Sequence, residues 1–478
     1  MISEGLVPMT PRLKNQNHAP SATAQRRSET MSDSVKQRGK GRPRSGGTPN
    51  QSLMTILNLV RQGTATTRQD LERTCDLGRA VVADRLSTLT DLDLVDETKS
   101  GVATGGRAPK LVSFHAHAGC ILVAALDQTS LSIGIADLSG QLITEHHEAS
   151  ELTLAPPAIL DRLIKLIEWM LPRHADAGPL WGIGLSVPAP VPVPSSDLFL
   201  TETPPFLPGW ETTPVVETLI DRFKAPVWVR SSVETMTMGE LTAGDGTGVD
   251  TMLFVKVGKR IGAGLTMNRA LFRGAQGAAG LIGQLPVSEA GRTGPLETMA
   301  GADMIQREGL AAAQEGRSSY LADILARIGE LTPFDVGQAA QAGDVASMDI
   351  LSRSGRMIGH SVAYLATMLN PELIVLGGSV AMTNDTLLAA VREVVYRESH
   401  PLVTRDLRII RSQMGSSAGL VGAAMVVTEA LFDPALLRGW ILSGHPQCHP
   451  EFRAARDAAA QRLIELSETP EAPPTPSL

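Results

Sequence analysis

Between Gln51 and Phe114 the apolar positions fall into three helical stretches and two short extended ones. Leu53, Ile56, Leu57 and Val60 are spaced i, i+3, i+4 and i+7, which puts them on one face of a first helix. Gly63 ends that helix. Thr67 can cap a short second helix over 68–73, and Cys75-Asp76-Leu77-Gly78 makes a turn. A third helix follows, with Leu77, Val81, Val82, Leu86 and Leu89 expected to face inward. Its outward positions are Arg79, Ala80, Ala83, Asp84 and Ser87, short or polar as a helix in a DNA major groove requires. Strands are expected over 94–97 and 110–114. The loop between them holds Lys99, Gly101, Gly105, Gly106 and Arg107, cations on a flexible hairpin tip that can reach phosphate. The pattern therefore predicts a winged helix-turn-helix over 51–115. Its candidate DNA contacts are Thr67, Arg68, Arg79, Ala80, Ala83, Asp84, Ser87, Lys99 and Arg107. A small helical bundle used for protein contact fits the same spacing.

After a short linker, the period changes to that of buried strands. Ile121–Asp127 and Leu131–Asp137 are apolar runs, and Ser139-Gly140 turns the chain into a third strand beginning at Gln141. A helical stretch over 157–171 and another apolar strand over 181–187 follow. This alternation predicts a mixed sheet with crossover helices, hence an α/β body. Near the end, 449–467 reads as a helix followed by a Pro-rich tail. No apolar run approaches the roughly 18 residues of a membrane span, so no membrane partner is expected.

Charge separates the front of the chain from the rest. The net charge is −7, yet residues 1–50 carry nine Lys or Arg against three Asp or Glu. Rich in Ser, Pro, Gly and Gln without apolar period, this arm is expected to be disordered. Gly41-Arg42-Pro43-Arg44 inside it resembles an AT-hook: Pro keeps the chain extended, and a narrow minor groove attracts Arg42 and Arg44. A solvated basic tail fits equally well. The winged-helix segment itself is nearly balanced, because Asp70, Glu72, Asp76, Asp84 and Asp91 offset Arg68, Arg73, Arg79 and Arg85. At 478 residues the chain predicts two or three domains. Its three cysteines, Cys75, Cys120 and Cys448, are too scattered for a disulfide framework or zinc site and fit a reducing cytoplasm. The polar, basic N-terminus lacks the apolar core of a secretory signal.

Five blocks then converge on one family. Gly182-Ile-Gly-Leu-Ser-Val-Pro188, Gly274-Ala-Gln-Gly-Ala-Ala-Gly280, Ala339-Ala-Gln-Ala-Gly-Asp344, Leu369-Asn-Pro-Glu-Leu-Ile-Val-Leu-Gly-Gly378 and Gly415-Ser-Ser-Ala-Gly-Leu-Val-Gly-Ala-Ala424 occur in order. With the winged helix in front, residues 51 to 432 resemble the ROK family, which joins sugar kinases to transcriptional repressors of the same fold. The resemblance implies a two-lobed actin-like (RNase H-like) body, with an N-terminal lobe over 119–232 and a C-terminal lobe over 233–414. A helix over 415–435 returns to the first lobe, and a C-terminal helix and tail occupy 436–478.

The departures from that family carry the functional expectation. A sugar kinase needs a carboxylate to take the proton of the acceptor hydroxyl. The resemblance places that Asp at Ser232, with a sugar-binding Asn at Ser231. A serine hydroxyl is no base near neutral pH without an activating partner. Asp127 is followed by Gln128-Thr-Ser-Leu131, without the glycines of the family's first phosphate loop. Lys259-Arg260 stand where its second loop has Thr-Gly. Ser288, Ala290 and Pro295 replace the three cysteines of its zinc motif and Gln284 replaces the histidine, so no metal is expected. Of the usual sugar-contacting polar groups Glu297 remains, and one carboxylate does not recover the desolvation of an ordinary hexose. Ser231, Ser232, Gln284 and Glu297 are the candidate ligand contacts. The expected function is a sequence-specific, DNA-binding repressor that is inactive as a kinase and needs no cofactor. It would assemble as a homodimer or tetramer on double-stranded DNA, in the cytoplasm at the nucleoid, under a carbohydrate-related effector. Two other functions stay open: a ligand-independent DNA-binding protein, and an active sugar kinase with a fused DNA-binding segment.

Overall fold

The computed structural model describes residues 49–98, 110–150, 156–192, 198–204, 210 and 212–468. The chain opens with α1 (Pro49–Arg61), α2 (Arg68–Cys75), α3 (Arg79–Asp91), β1 (Val95–Asp96) and β2 (Ser113–Phe114). The antiparallel β1–β2 pair is shorter than the strands expected from sequence, while Leu111 bridges back to Thr67. α1 begins at Pro49, two residues before the boundary drawn for the basic arm.

The first lobe follows: β3 (Cys120–Leu126), β4 (Ser130–Asp137), β5 (Leu142–Ala149), α4 (Pro156–Met170), β6 (Leu180–Val187), α5 (Val215–Phe223) and β7 (Val227–Ser231). Its sheet runs β5-β4-β3-β6-β7; β4 is antiparallel to its neighbours, and β6 and β7 are parallel to β3. Helix α6 (Ser232–Ala243) leads into the second lobe, where β8 (Met252–Val257), β9 (Ile261–Met267) and β10 (Ala270–Phe272) form a meander. Then come the hairpin β11 (Pro286–Glu289) and β12 (Arg292–Pro295), and helices α7 (Leu296–Ala300), α8 (Ala302–Gln314), α9 (Ser319–Ile328), α10 (Pro333–Gln341) and α11 (Val345–Leu369). β13 (Leu373–Gly377), α12 (Asp385–Glu398), α13 (Pro401–Thr404) and β14 (Arg408–Arg411) close this lobe. The second sheet, β10-β9-β8-β13-β14, repeats the wiring of the first: three antiparallel strands, then two parallel ones. Two such lobes about a cleft are the actin-like arrangement. The chain ends with α14 (Ser417–Leu431), α15 (Pro434–Trp440) and α16 (Pro450–Glu468).

α14 lies across the first sheet and against α6, and glycines make both contacts possible. A Cβ on Gly184 would stand 2.7 Å from the Ala423 carbonyl. One on Gly422 would stand 1.7 Å from the Thr235 carbonyl, and one on Gly239 2.1 Å from that of Ala418. The Gly-rich blocks at 182–188 and 415–424 are thus places where backbone meets backbone. Just past the far end of α14 stands Phe432, 1% exposed, beneath the winged helix. Phe114 packs edge-on against Phe432 at 5.4 Å, Arg61 lies 5.0 Å over its ring, and Asn58 Nδ2 donates to its carbonyl at 3.1 Å. Trp440 from α15 and Trp181 from β6 complete the plug. One uninterrupted apolar core therefore joins the winged helix to the first lobe, while the second lobe has its own.

Substituting Ala at Gly422 is expected to force α6 and α14 apart. The expected cost is about 1–3 kcal/mol or more, read as a lowered midpoint in denaturant unfolding; an unchanged midpoint would show that the helices have slack.

Candidate functional site

Two sites emerge, one at each end of α14. In the winged helix, Thr67 has β-region backbone and accepts from the Asp70 amide at 3.1 Å, capping α2. Its own hydroxyl donates to Asp70 Oδ2 at 2.7 Å. Asp76, at φ 50°, ends α2, and Gly78 starts α3. Val82, Leu86 and Leu89 form the buried stripe of α3, with Leu77 just ahead of it. Val81, expected to face inward, is instead 37% exposed: one residue before Val82, it lies about 100° around the helix from the stripe. The outer face carries Arg79, Ala80, Asp84 and Ser87, all exposed, with Ala83 partly so. Among the described residues Arg79 has no ion pair, whereas Asp84 pairs with Arg85, whose Nε reaches Ser52 Oγ at 3.0 Å. Arg68 is also committed within the protein: its Nε donates to Glu97 Oε1 at 2.7 Å and its Nη2 to Oε2, which raises the guanidinium pKa. Lys99, Arg107, Arg42 and Arg44 lie outside the described residues.

The second site is the cleft between the lobes. Ser231 ends β7 and caps α6, accepting from the Glu234 amide at 3.2 Å, while Glu234 returns a bond to the Ser231 amide. The cap turns Glu234 away from the cleft, where its carboxylate meets Arg273. Ser232, 8% exposed, opens the helix. It faces a residue the sequence reading passed over. Lys256, on β8 and 4% exposed, donates from Nζ to Ser232 Oγ at 3.0 Å and to Asp127 Oδ1 at 2.9 Å. One ammonium thus joins the end of β3 in the first lobe, the start of α6 and a strand of the second lobe. Asp127 is only partly enclosed, its side chain 32% exposed. Desolvation alone would raise its pKa, but the Lys256 charge and the Gln128 amide outweigh that and hold the carboxyl below its ordinary value. Lys256 was illegible as a site residue because a lone Lys in Met252-Leu-Phe-Val-Lys-Val257 reads as a break in an apolar strand.

Ser231, Ser232, Gln284 and Glu297 do come together, lining one cavity of about 200 Å³ with Lys256 and Arg260. Its wall is tight at Gly280, φ +86°, where a Cβ would stand 1.7 Å from the Ala263 carbonyl. Glu297 is already occupied. Its Oε1 accepts from Gln284 Nε2 at 2.7 Å and Arg260 Nη1 at 3.2 Å, and its Oε2 accepts from the Ile261 amide at 3.4 Å. Arg260 is therefore paired, not a free phosphate-attracting cation. On the β11–β12 hairpin, Ser288 Oγ and Thr293 Oγ1 pair at 2.7 Å. A second cavity, on the other side of Ser232, is walled by Asp127, Ser132, Ser379, Ser416 just before α14 and Gly419 in its first turn. The cleft so arranged offers hydroxyls and two ion pairs, Lys256–Asp127 and Arg260–Glu297, and the position that the resemblance gives the family's base holds Ser232.

The ROK family signature matches residues 125–430, and the chain belongs to that family. A xylose repressor from Caldicellulosiruptor bescii is 27% identical, covering 80% of this chain and 96% of its own length. A glucokinase from Halalkalibacterium halodurans is 30% identical, covering 54% of this chain and 79% of its own. Among solved structures, a ROK family transcriptional regulator described as a homologue of Escherichia coli Mlc superposes with a TM-score of 0.64 at 21% identity. That match covers 86% of this chain and 99% of that one. The glucokinase match thus takes in a smaller share of this chain than the matches to the two regulators do.

Replacing Asp127 by Asn leaves a buried ammonium without its carboxylate. The expected loss is about 1–3 kcal/mol at neutral pH. The wild-type pair stabilises above the ordinary carboxylate range and is lost as pH falls through the depressed Asp127 value, so the gap between the two proteins should close below about pH 4. A gap independent of pH would separate the ion pair from the effect.

Proposed function

We propose that this ROK protein is a sequence-specific DNA-binding repressor whose body no longer transfers phosphate. The observation that carries the reading is the outer face of α3. Among the described residues Arg79 has no ion pair at its N-terminal end, and the small Ala80 and Ala83 follow, a face that suits entry into a major groove. The repressor named for xylose, alignable over nearly its whole length, supports it. In the cleft, Lys256 holds Ser232 where the resemblance puts the proton acceptor, and a serine bonded to an ammonium has no means of accepting the sugar's proton.

The cleft is then a sensor of a carbohydrate-related ligand, and α14 is the element that reports it. Ser416 and Gly419 touch the cleft, and Phe432 touches the winged helix. A ligand that binds one lobe angle better shifts α14 and the reader it supports. A second copy would place two α3 helices on half-sites about one DNA turn, roughly 34 Å, apart. The protein acts in the cytoplasm on nucleoid DNA.

Fluorescence anisotropy against DNA upstream of the protein's own gene and against scrambled DNA at physiological salt tests the reading. The expected outcome is preference for the first, with Arg79→Ala weakening it by about 1–3 kcal/mol. Equal affinity for both DNAs would reject sequence-specific repression. Sugar-dependent ATP turnover by the wild type would reject the loss of phosphoryl transfer.

A further inference from the structure

A second groove of about 570 Å³ opens on the other face of β7 from the cleft. Alternation along the strand sends Trp228 and Arg230 into it, while Ser231 lines the cleft. Arg269 and Arg273, which stand just before and just after β10, converge on the same space. Arg230 is half-buried, and its hydrogen bond among the described residues runs from Nη1 to the carbonyl of Val229, at 2.9 Å. Burial and then the neighbouring Arg273 charge push its pKa down. Arg273 itself is engaged by Glu234 and by the Val191 carbonyl at 3.2 Å. Arg269 sits exposed on the β9–β10 turn at φ +60°, without an ion pair among the described residues.

Two guanidinium groups held close repel each other unless an anion lies between them, and one hydrogen-bonded carboxylate, Glu234, serves both. The facing wall supplies little more: Asp433 is spent capping α15, bonded to the Ala435 amide at 2.8 Å. Glu429, the other acid, is shared between the charges of Arg230 and Arg61. Desolvation raises its pKa against both, although the residue as a whole is exposed. Leu271, Met238, Val426 and Leu436 make the remaining wall apolar. Forked guanidinium groups over an apolar floor are the recognition set for an oxyanion on a small organic body.

We propose that this groove is a second ligand site, for a small metabolite that presents a phosphate or carboxylate to Arg230 and Arg269. It is distinct from the sugar-side cavity. Its floor is the end of α14, so an anion that draws off Arg230 leaves Glu429 to Arg61 of α1, and occupancy reaches the winged helix directly. That consequence rests on the repressor reading; the binding itself does not.

Titration calorimetry on the full chain, without DNA, tests the site with inorganic phosphate, glycerol 3-phosphate and citrate. At least one is expected to bind saturably at millimolar concentrations or below. Arg269→Gln and Arg230→Gln should each weaken it about tenfold to a hundredfold, while Arg327→Gln on α9 leaves it unchanged. Heat from the phosphates alone assigns a phosphate ligand, and heat from citrate alone a carboxylate. Arg269 lies on an exposed turn, so its variant decides the matter should Arg230→Gln fail to fold. Silence from all three probes, or affinity indifferent to Arg269→Gln, would overturn the site. Failure of the DNA experiment would leave this result standing.

Discussion

Close backbone contact along α14 is the constraint that ties the two ends of this molecule together. The helix is 15 residues long, so roughly 22 Å. Its first turn borders the cleft, where Ser417 Oγ also donates to Glu145 of β5 at 2.9 Å. Its last residue is followed by Phe432, the ring on which Arg61 and Phe114 of the winged helix rest. Between those ends it has no room to shift sideways, because Gly184, Gly239 and Gly422 bring carbonyls to within a methyl group's reach. Packed interiors respond to such contacts by moving whole elements rather than by yielding locally. On the proposed reading, a change at the cleft would arrive at the winged helix as a displacement of the rod.

The cleft end has been rebuilt around a cation. A kinase of this fold would keep a free carboxylate for the acceptor proton and an open polar loop for phosphate. At the position the resemblance gives that base this chain has Ser232, and the ammonium of Lys256 bonds both that serine and Asp127. Glu297, which would meet a sugar, is engaged by Gln284, Arg260 and the Ile261 amide. Each of these contacts satisfies a polar group that chemistry would need free. What remains is a hydroxyl-lined cavity with internal ties across the lobes, suited to answering a ligand by a change of shape.

Much of the fold was legible because local signals agreed. The i, i+3, i+4, i+7 spacing in α1, the Thr67 cap and the apolar strands β3, β4 and β6 all lie where periodicity and capping put them. The resemblance carried the two-lobed body, down to the glycine blocks whose role is to admit α14. The misses share a cause: they depend on partners distant in sequence. Val81 was read inward because it is apolar, but the stripe is set by Val82, Leu86 and Leu89. Arg68 looked free for DNA until the chain brought Glu97, 29 positions on, against it. Lys256 could not be told from an interruption in a strand, because Asp127 is 129 positions away. Trp440 and α15 gave no periodic signal strong enough to show that they plug the junction under Phe432.

Native-state hydrogen exchange on the wild type and on Phe432→Ala tests the rod most directly. If α14 supports the reader through this ring, removing it should lower amide protection in α1 together with the last turn of α14, while β8 and β13 in the other lobe keep theirs. Undiminished protection of α1 would mean that the winged helix stands independently of the body, and no route from cleft to DNA would run through α14.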